Sequence, residues 1–80
     1  MRISIDIGDP GYENYLKHRG ARVFLDGAER SDVLTADEEK RYAICEVRDQ
    51  AGRPVIDPAT HKSKTYEFFG HVRVELAEPA

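Results

Sequence analysis

Cysteine is nearly missing from this chain: Cys45 is the only one in 80 residues. A single thiol excludes an intramolecular disulfide framework, and without a CxxC pair it excludes a cysteine-based zinc cluster. Both exclusions fit a reducing compartment. Long apolar runs are missing too. No stretch approaches the length of a membrane span, and the N-terminal MRISIDIGDPG alternates where a signal peptide needs a continuous apolar core. The expected compartment is therefore the cytoplasm of a bacterial cell, with no membrane association. A basic excess is absent as well: 12 Lys and Arg stand against 15 Asp and Glu, for a net charge of −3. The imbalance sits in residues 1–40, which carry six basic and nine acidic residues, whereas residues 41–80 carry six of each. The local group Lys17, His18, Arg19 and Arg22 reads as a solvated loop before it reads as a phosphate-binding patch.

What is present is a short chain with regularly spaced apolar residues. Hydrophobic residues are 40% and charged residues 34% of the total, too patterned for disorder and more polar than an ordinary domain. At this length only about two thirds of the chain's surface is buried on folding. The core is accordingly expected to be thin, in one small domain over residues 1–76 followed by a frayed tail at 77–80.

Ile3, Ile5 and Ile7 alternate with Arg2, Ser4 and Asp6, the period of a half-buried strand. Gly8-Asp9-Pro10-Gly11 stops it, and Tyr12 to His18 has the spacing of one short helix, with Tyr12, Tyr15 and Leu16 on one side. Asp26-Gly27 between two extended runs is a hairpin signal. Its second arm, Ala28 to Leu34, is polar enough for a sheet edge. The region from Thr35 to Val47 is ambiguous. Thr35 to Glu38 matches a capping box, which favours a helix over 36–47 and an α+β fold. Tyr42 to Val47 is instead a β-compatible run whose alternate residues Ala43, Cys45 and Val47 form a small apolar face. The strand reading is preferred, within a longest candidate strand over Arg41 to Asp49, and it makes Ala36 to Glu39 a turn. Further turns fall at Asp49 to Gly52 and Asp57 to Thr60, while Pro54 confines its segment to an edge. Ser63 to Phe69 and His71 to Leu76 close the chain, as two strands or as one bent at Gly70. The expected fold is all-β: an antiparallel meander, sheet or sandwich, of five to seven short strands with at most one helix.

No constellation of chemistry accompanies these elements. His18, His61 and His71 fall in separate segments at no metal-ligand spacing, no glycine-rich loop fits a phosphate, and no metal or other cofactor is expected. Cys45 is the one intrinsically reactive candidate nucleophile, with His71 as a conceivable base. A reactive cysteine needs exposure and an electropositive setting, whereas mid-strand Cys45 reads as a small buried hydrophobe. Tyr66, Phe68 and Phe69 are more suggestive. Tyr66 and Phe68 share one strand face and Phe69 takes the other, so a thin sheet leaves aromatic bulk uncovered. That makes the three residues a candidate contact for a protein partner or for self-association. An alternative reading is a single-stranded nucleic-acid platform built from Arg41, Tyr42, Lys62, Lys64 and Tyr66, against which the net charge speaks.

VFLDG at 23–27, ADEE at 36–39 before RYAICEVRD, GRPVIDPATH and FFGHVRVEL together resemble small uncharacterised proteins encoded by phages and prophages. The resemblance covers residues 22–76, leaves Ile3 to Arg19 outside, and rests on turn and strand chemistry at Gly27, Gly52 and Gly70. It implies a non-enzymatic interaction or structural module, and it adds the virion as an alternative location.

Overall fold

A computed structural model of the chain describes residues 1–77; of the expected tail, 78–80 lie outside the described residues. Nine short strands and one helix follow in the order β1 (Arg2–Ser4), α1 (Tyr12–Lys17), β2 (Arg22–Leu25), β3 (Ala28–Arg30), β4 (Val33–Asp37), β5 (Tyr42–Glu46), β6 (Ile56–Asp57), β7 (Lys62–Ser63), β8 (Thr65–Phe69) and β9 (Val72–Glu75). The fold is predominantly β, with every strand pairing antiparallel. Two small sheets, ordered β1-β4-β5-β8 and β3-β2-β9, contribute to one core, and β6-β7 forms a separate two-stranded ribbon.

Strand count and order depart from the expected meander of five to seven strands. Two of the sequence's strand-like runs are each divided between the two sheets. The polar arm after Asp26-Gly27 is β3 as far as Arg30 and β4 from Val33, with Ser31 and Asp32 carrying the chain across. Likewise β8 and β9 are separate strands in different sheets, joined at Gly70 and His71. A Cβ at Gly70 would stand 2.9 Å from both the Asp26 carboxylate and the Phe68 ring, which explains glycine at the crossing. Asp26 latches it, donating its N–H to the His71 carbonyl and accepting the His71 N–H on its carboxylate, each at 2.9 Å.

The core lies between the sheets. Ile3, Ala36, Ala43 and Cys45 from the larger sheet meet Leu25 and Val72 from the smaller, flanked by Tyr15, Val23, Val33, Phe68 and Val74. Cross-strand register lines them up: Ala43 stands opposite both Ala36 and Phe68, and Leu25 opposite Val72. Alanines in the middle of the larger sheet let the smaller one approach. The core is consequently thin, and burying its few large side chains, at about 25 cal/mol per Å² of apolar area, is its main source of stability.

The ambiguous region is β4, a turn and β5, and the 36–47 helix is not formed. Ala36 and Asp37 end the strand instead of opening the turn, and both are buried. The turn is stabilised by the Asp37 carboxylate, which accepts the Lys40 N–H at 2.9 Å, and by Arg41 at φ 54°. Thus Asp37, inside the capping-box match, binds the backbone three residues on, as Asp does in turns, and the capping-box acid Glu38 accepts the Val74 N–H instead. The longest candidate strand, Arg41 to Asp49, is trimmed to β5, Tyr42–Glu46, and the half-buried strand of Ile3, Ile5 and Ile7 is trimmed to β1, which ends at Ser4. Only Ile3 is buried, while Ile5 and Ile7 are 49% and 79% exposed. Past Ser4 the chain leaves the sheet because polar groups hold it. The Ser4 hydroxyl contacts that of Thr35 at 2.7 Å and accepts the Asp6 N–H, and the Asp6 carboxylate then accepts the Gly8 N–H.

The short helix forms at the expected place. Six residues cannot hold a helix alone, and α1 is supported by Tyr15 against the core and by Asn14, whose amide donates to the Arg2 carbonyl at 2.8 Å. The expected turns are also present. Asp26 and Gly27 both have positive φ, 49° and 86°, as a two-residue hairpin requires. Asp49 and Asp57 each accept the N–H two residues on, and Pro54 makes only an isolated bridge to Arg48.

Candidate interaction surface

Among the described residues strand β8 is the outer strand of the larger sheet, with β5 on one side and no strand on the other. Its alternation separates the three aromatics named above. Phe68 turns inward onto the core. Phe69 turns the opposite way and is 70% exposed. Directly across from it on β5 stands Tyr42, the rings tilted at 48° with centroids 5.4 Å apart. Ile44 lies opposite Glu67 on the same face, giving a small apolar surface with one carboxylate in it. Among the described residues Glu67 makes no ion pair.

Tyr66 is 40% exposed but its hydroxyl is engaged. Arg30 of β3 grips the Asp32 carboxylate in a fork, at 3.0 Å from Nε and 2.6 Å from Nη2, and also donates to the Tyr66 hydroxyl. Tyr66 in turn donates to Asp32 at 3.3 Å. The guanidinium fork holds the Asp32 carboxyl below its ordinary range, and burial pushes the Tyr66 phenol up. This polar cluster ties a strand of one sheet to a strand of the other at the mouth of the sandwich. Cys45, opposite Tyr66, is fully buried, and burial raises its thiol. Neither feature is what a nucleophilic thiol needs.

The residues of the nucleic-acid alternative are dispersed. Tyr42 and Tyr66 occupy opposite faces of the sheet, since Tyr42 faces Phe69 and Tyr66 faces Cys45. Lys62 lies in the β6-β7 ribbon, Lys64 just before β8, and Arg41 in the β4-β5 turn. No single face collects the rings and cations of that set together. The outer face of the smaller sheet is a charge lattice: Arg73 lies 4.2 Å over the Phe24 ring, and Arg22 pairs with Glu75.

Residue-by-residue reading did not find the polar framework at the other end of the larger sheet. Arg2 donates to Asp9 through Nε and Nη2 at 2.8 and 2.6 Å, and to Asp37 at 3.3 Å. The Arg2 hydrogen bonds lower the Asp9 carboxyl to about 2. The Asp37 carboxyl is lowered too, first by the Lys40 N–H and then by Arg2. This group pins the loop before α1 to β1 and β4. Its hydrogen bonds run among its own members and neighbouring backbone.

No group of three His, Cys, Asp or Glu among the described residues is placed to hold a metal. A cleft of about 110 Å³ between α1 and the sheets is lined by Ile3, Ile5, Tyr15, Ala21, Val23 and Leu34 among others, and a wider, open hollow of about 520 Å³ lies beside the β6-β7 ribbon, lined by Val47, Asp57, Thr60, Lys62, Lys64 and Thr65 among others. Among the described residues no helix is long and apolar enough to cross a membrane. The chain matches no protein-family model, no curated protein and no solved structure.

Proposed function

We propose that this protein is a non-enzymatic interaction module that engages a protein partner through the open side of its larger sheet. The observation that carries the reading is Phe69, 70% exposed on an outer strand with its ring tilted against that of Tyr42. A phenylalanine exposed at the end of an outer strand adds little to folding and favours association. Tyr66 and Phe68 serve the reading indirectly, by fixing β8 against the core so that Phe69 is presented on a rigid strand. The resemblance to small phage-encoded proteins belongs to the same proposal, and flanking phage structural genes in the source genome would support that origin.

The test compares wild type with Phe69→Ser in affinity capture from the source organism's extract, with sedimentation in parallel. Because Phe69 contributes little to the core beyond its Tyr42 pair, the variant should still unfold cooperatively, with a loss of at most about 1 kcal/mol, and lose the retained partner. Identical capture by both proteins, or no partner with a monomer throughout, overturns the proposal.

A further inference from the structure

The edges of the two sheets are treated very differently. Along β1, the outward peptide groups are those of Arg2 and Ser4, and the loop before α1 and α1 itself cover them: the Ser4 N–H donates to the Gly11 carbonyl at 3.2 Å, and Asn14 donates to the Arg2 carbonyl. Along β9, the Val74 N–H is taken by the Glu38 carboxylate at 3.0 Å. Strand β3 has three residues and turns only Glu29 outward, since Ala28 and Arg30 are matched with Leu25 and Val23 of β2.

Among the described residues strand β8 has no such cover. The Val47 N–H donates to the Lys64 carbonyl at 2.9 Å and the Gly70 N–H to the Arg41 carbonyl at 3.0 Å. Peptide groups alternate in direction along a strand, so those of Tyr66 and Phe68 also point to β5. Those of Thr65, Glu67 and Phe69 point away from it, where the sheet has no further strand. The edge contains no proline, and its register with β5 runs without a bulge. Glu67 is the only one of the usual protections of an open edge that it carries.

We infer that β8 accepts an extended segment of another protein as a fifth strand of the larger sheet, the incoming strand placing a basic residue beside Glu67 and an apolar one beside Phe69. The inference rests on the interaction reading above and names its geometry and the chemistry of its occupant. Main-chain hydrogen bonds to Thr65, Glu67 and Phe69 supply affinity, and the Glu67, Ile44, Tyr42 and Phe69 face supplies selection. A second copy fits poorly. Antiparallel pairing of two β8 strands through these outward groups sets the two Glu67 carboxylates opposite or diagonal to each other, which is destabilising. Lys64 cannot relieve them, because by alternation it projects to the Tyr66 face.

The probe is a capped peptide long enough to span β8, in which threonine alternates with lysine and valine taken in turn. Two control peptides carry glutamate for lysine, or methylated nitrogens at alternate amides. Hydrogen exchange followed residue by residue should show the Thr65, Glu67 and Phe69 amides unprotected in the free protein and protected by the lysine peptide. The glutamate and methylated peptides should bind about tenfold more weakly or worse, a difference of about 1.4 kcal/mol. Glu67→Lys should reverse the preference between lysine and glutamate peptides. Thr65→Pro, which removes an amide that β5 does not use, should weaken binding while thermal unfolding stays cooperative. Equal binding of the methylated peptide, or no protection of the three amides by any peptide, overturns strand addition. Protection already present in the free protein, together with a concentration-dependent dimer, overturns the heterologous occupant in favour of a second copy. Partner capture lost in Phe69→Ser but kept in Thr65→Pro leaves the interaction reading standing and removes strand addition; capture unaffected by either variant removes both.

Discussion

Arg2 holds two carboxylates at once, and the pair sets the acid limit of the molecule. Asp9 is lowered from 3.8 to about 2 by the Arg2 hydrogen bonds, and Asp37 and Asp32 are lowered as well. A carboxylate with a depressed folded pKa stabilises the native state fully above its unfolded value and loses that contribution as pH falls toward the folded one. Urea unfolding should therefore show stability that is flat from about pH 7 to 5 and falls between about pH 4 and 2. Asp9→Asn should cost about 1–2 kcal/mol at neutral pH and flatten part of the acid slope; an unchanged slope would remove the Arg2–Asp9 pair as its cause. Cys45 makes a second prediction at this scale. Being buried at 0% exposure with its thiol raised, it should react with a thiol reagent only as fast as the protein opens. Labelling should accelerate in urea in step with unfolding, and fast labelling of the native state would contradict its burial.

Among the elements, the turn chemistry is the part most legible in the sequence. Asp26-Gly27, Asp49 to Gly52 and Asp57 to Thr60 are local signals, decided by residues two to four apart, and the structure forms all three. Strand faces were legible where alternation continues through a paired segment, as at Ala43 and Cys45. They were misleading at Ile5 and Ile7, where Ser4 and Asp6 draw the chain into a polar turn that no count of apolar residues reports. The same division holds for the candidate surface. Alternation alone turns Phe69 away from Phe68, but its partner Tyr42 and the Arg30–Asp32 hold on Tyr66 depend on register between distant segments. Gly70 shows how little space the β8-to-β9 crossing leaves. Gly70→Ala places a Cβ 2.9 Å from the Asp26 carboxylate and the Phe68 ring, and should lower stability by about 1–3 kcal/mol. The loss should be smaller in an Asp26→Ala background, since one of the two obstructions is then gone; equal losses in both backgrounds would show that Asp26 is not an obstacle.

For the whole molecule, the sheet order was the least legible property, because nothing in Arg22 to Leu25 indicates that its partner is Val72 to Glu75. Both sheets are completed by distant pairings, β2 with β9 and β1 with β4. Folding through such non-local closures is slow for a chain of this size, and refolding should take milliseconds to seconds rather than microseconds. A sub-millisecond single phase in stopped-flow refolding would contradict the pairing. Variants in the β2–β9 contact, such as Val72→Ala, should lose about 0.5–2 kcal/mol.

The late position of β9 matters while the protein is being made. Leu25 waits for Val72, its cross-strand neighbour in the core, and at roughly 5–20 residues per second that wait is on the order of several seconds. During it the β2-β3 hairpin leaves the ribosome with its apolar side uncovered and unable to close. Each nascent chain is thus a short-lived substrate for chaperones and proteases, and a ribosome stalled before Val72 would leave a product that cannot complete its core.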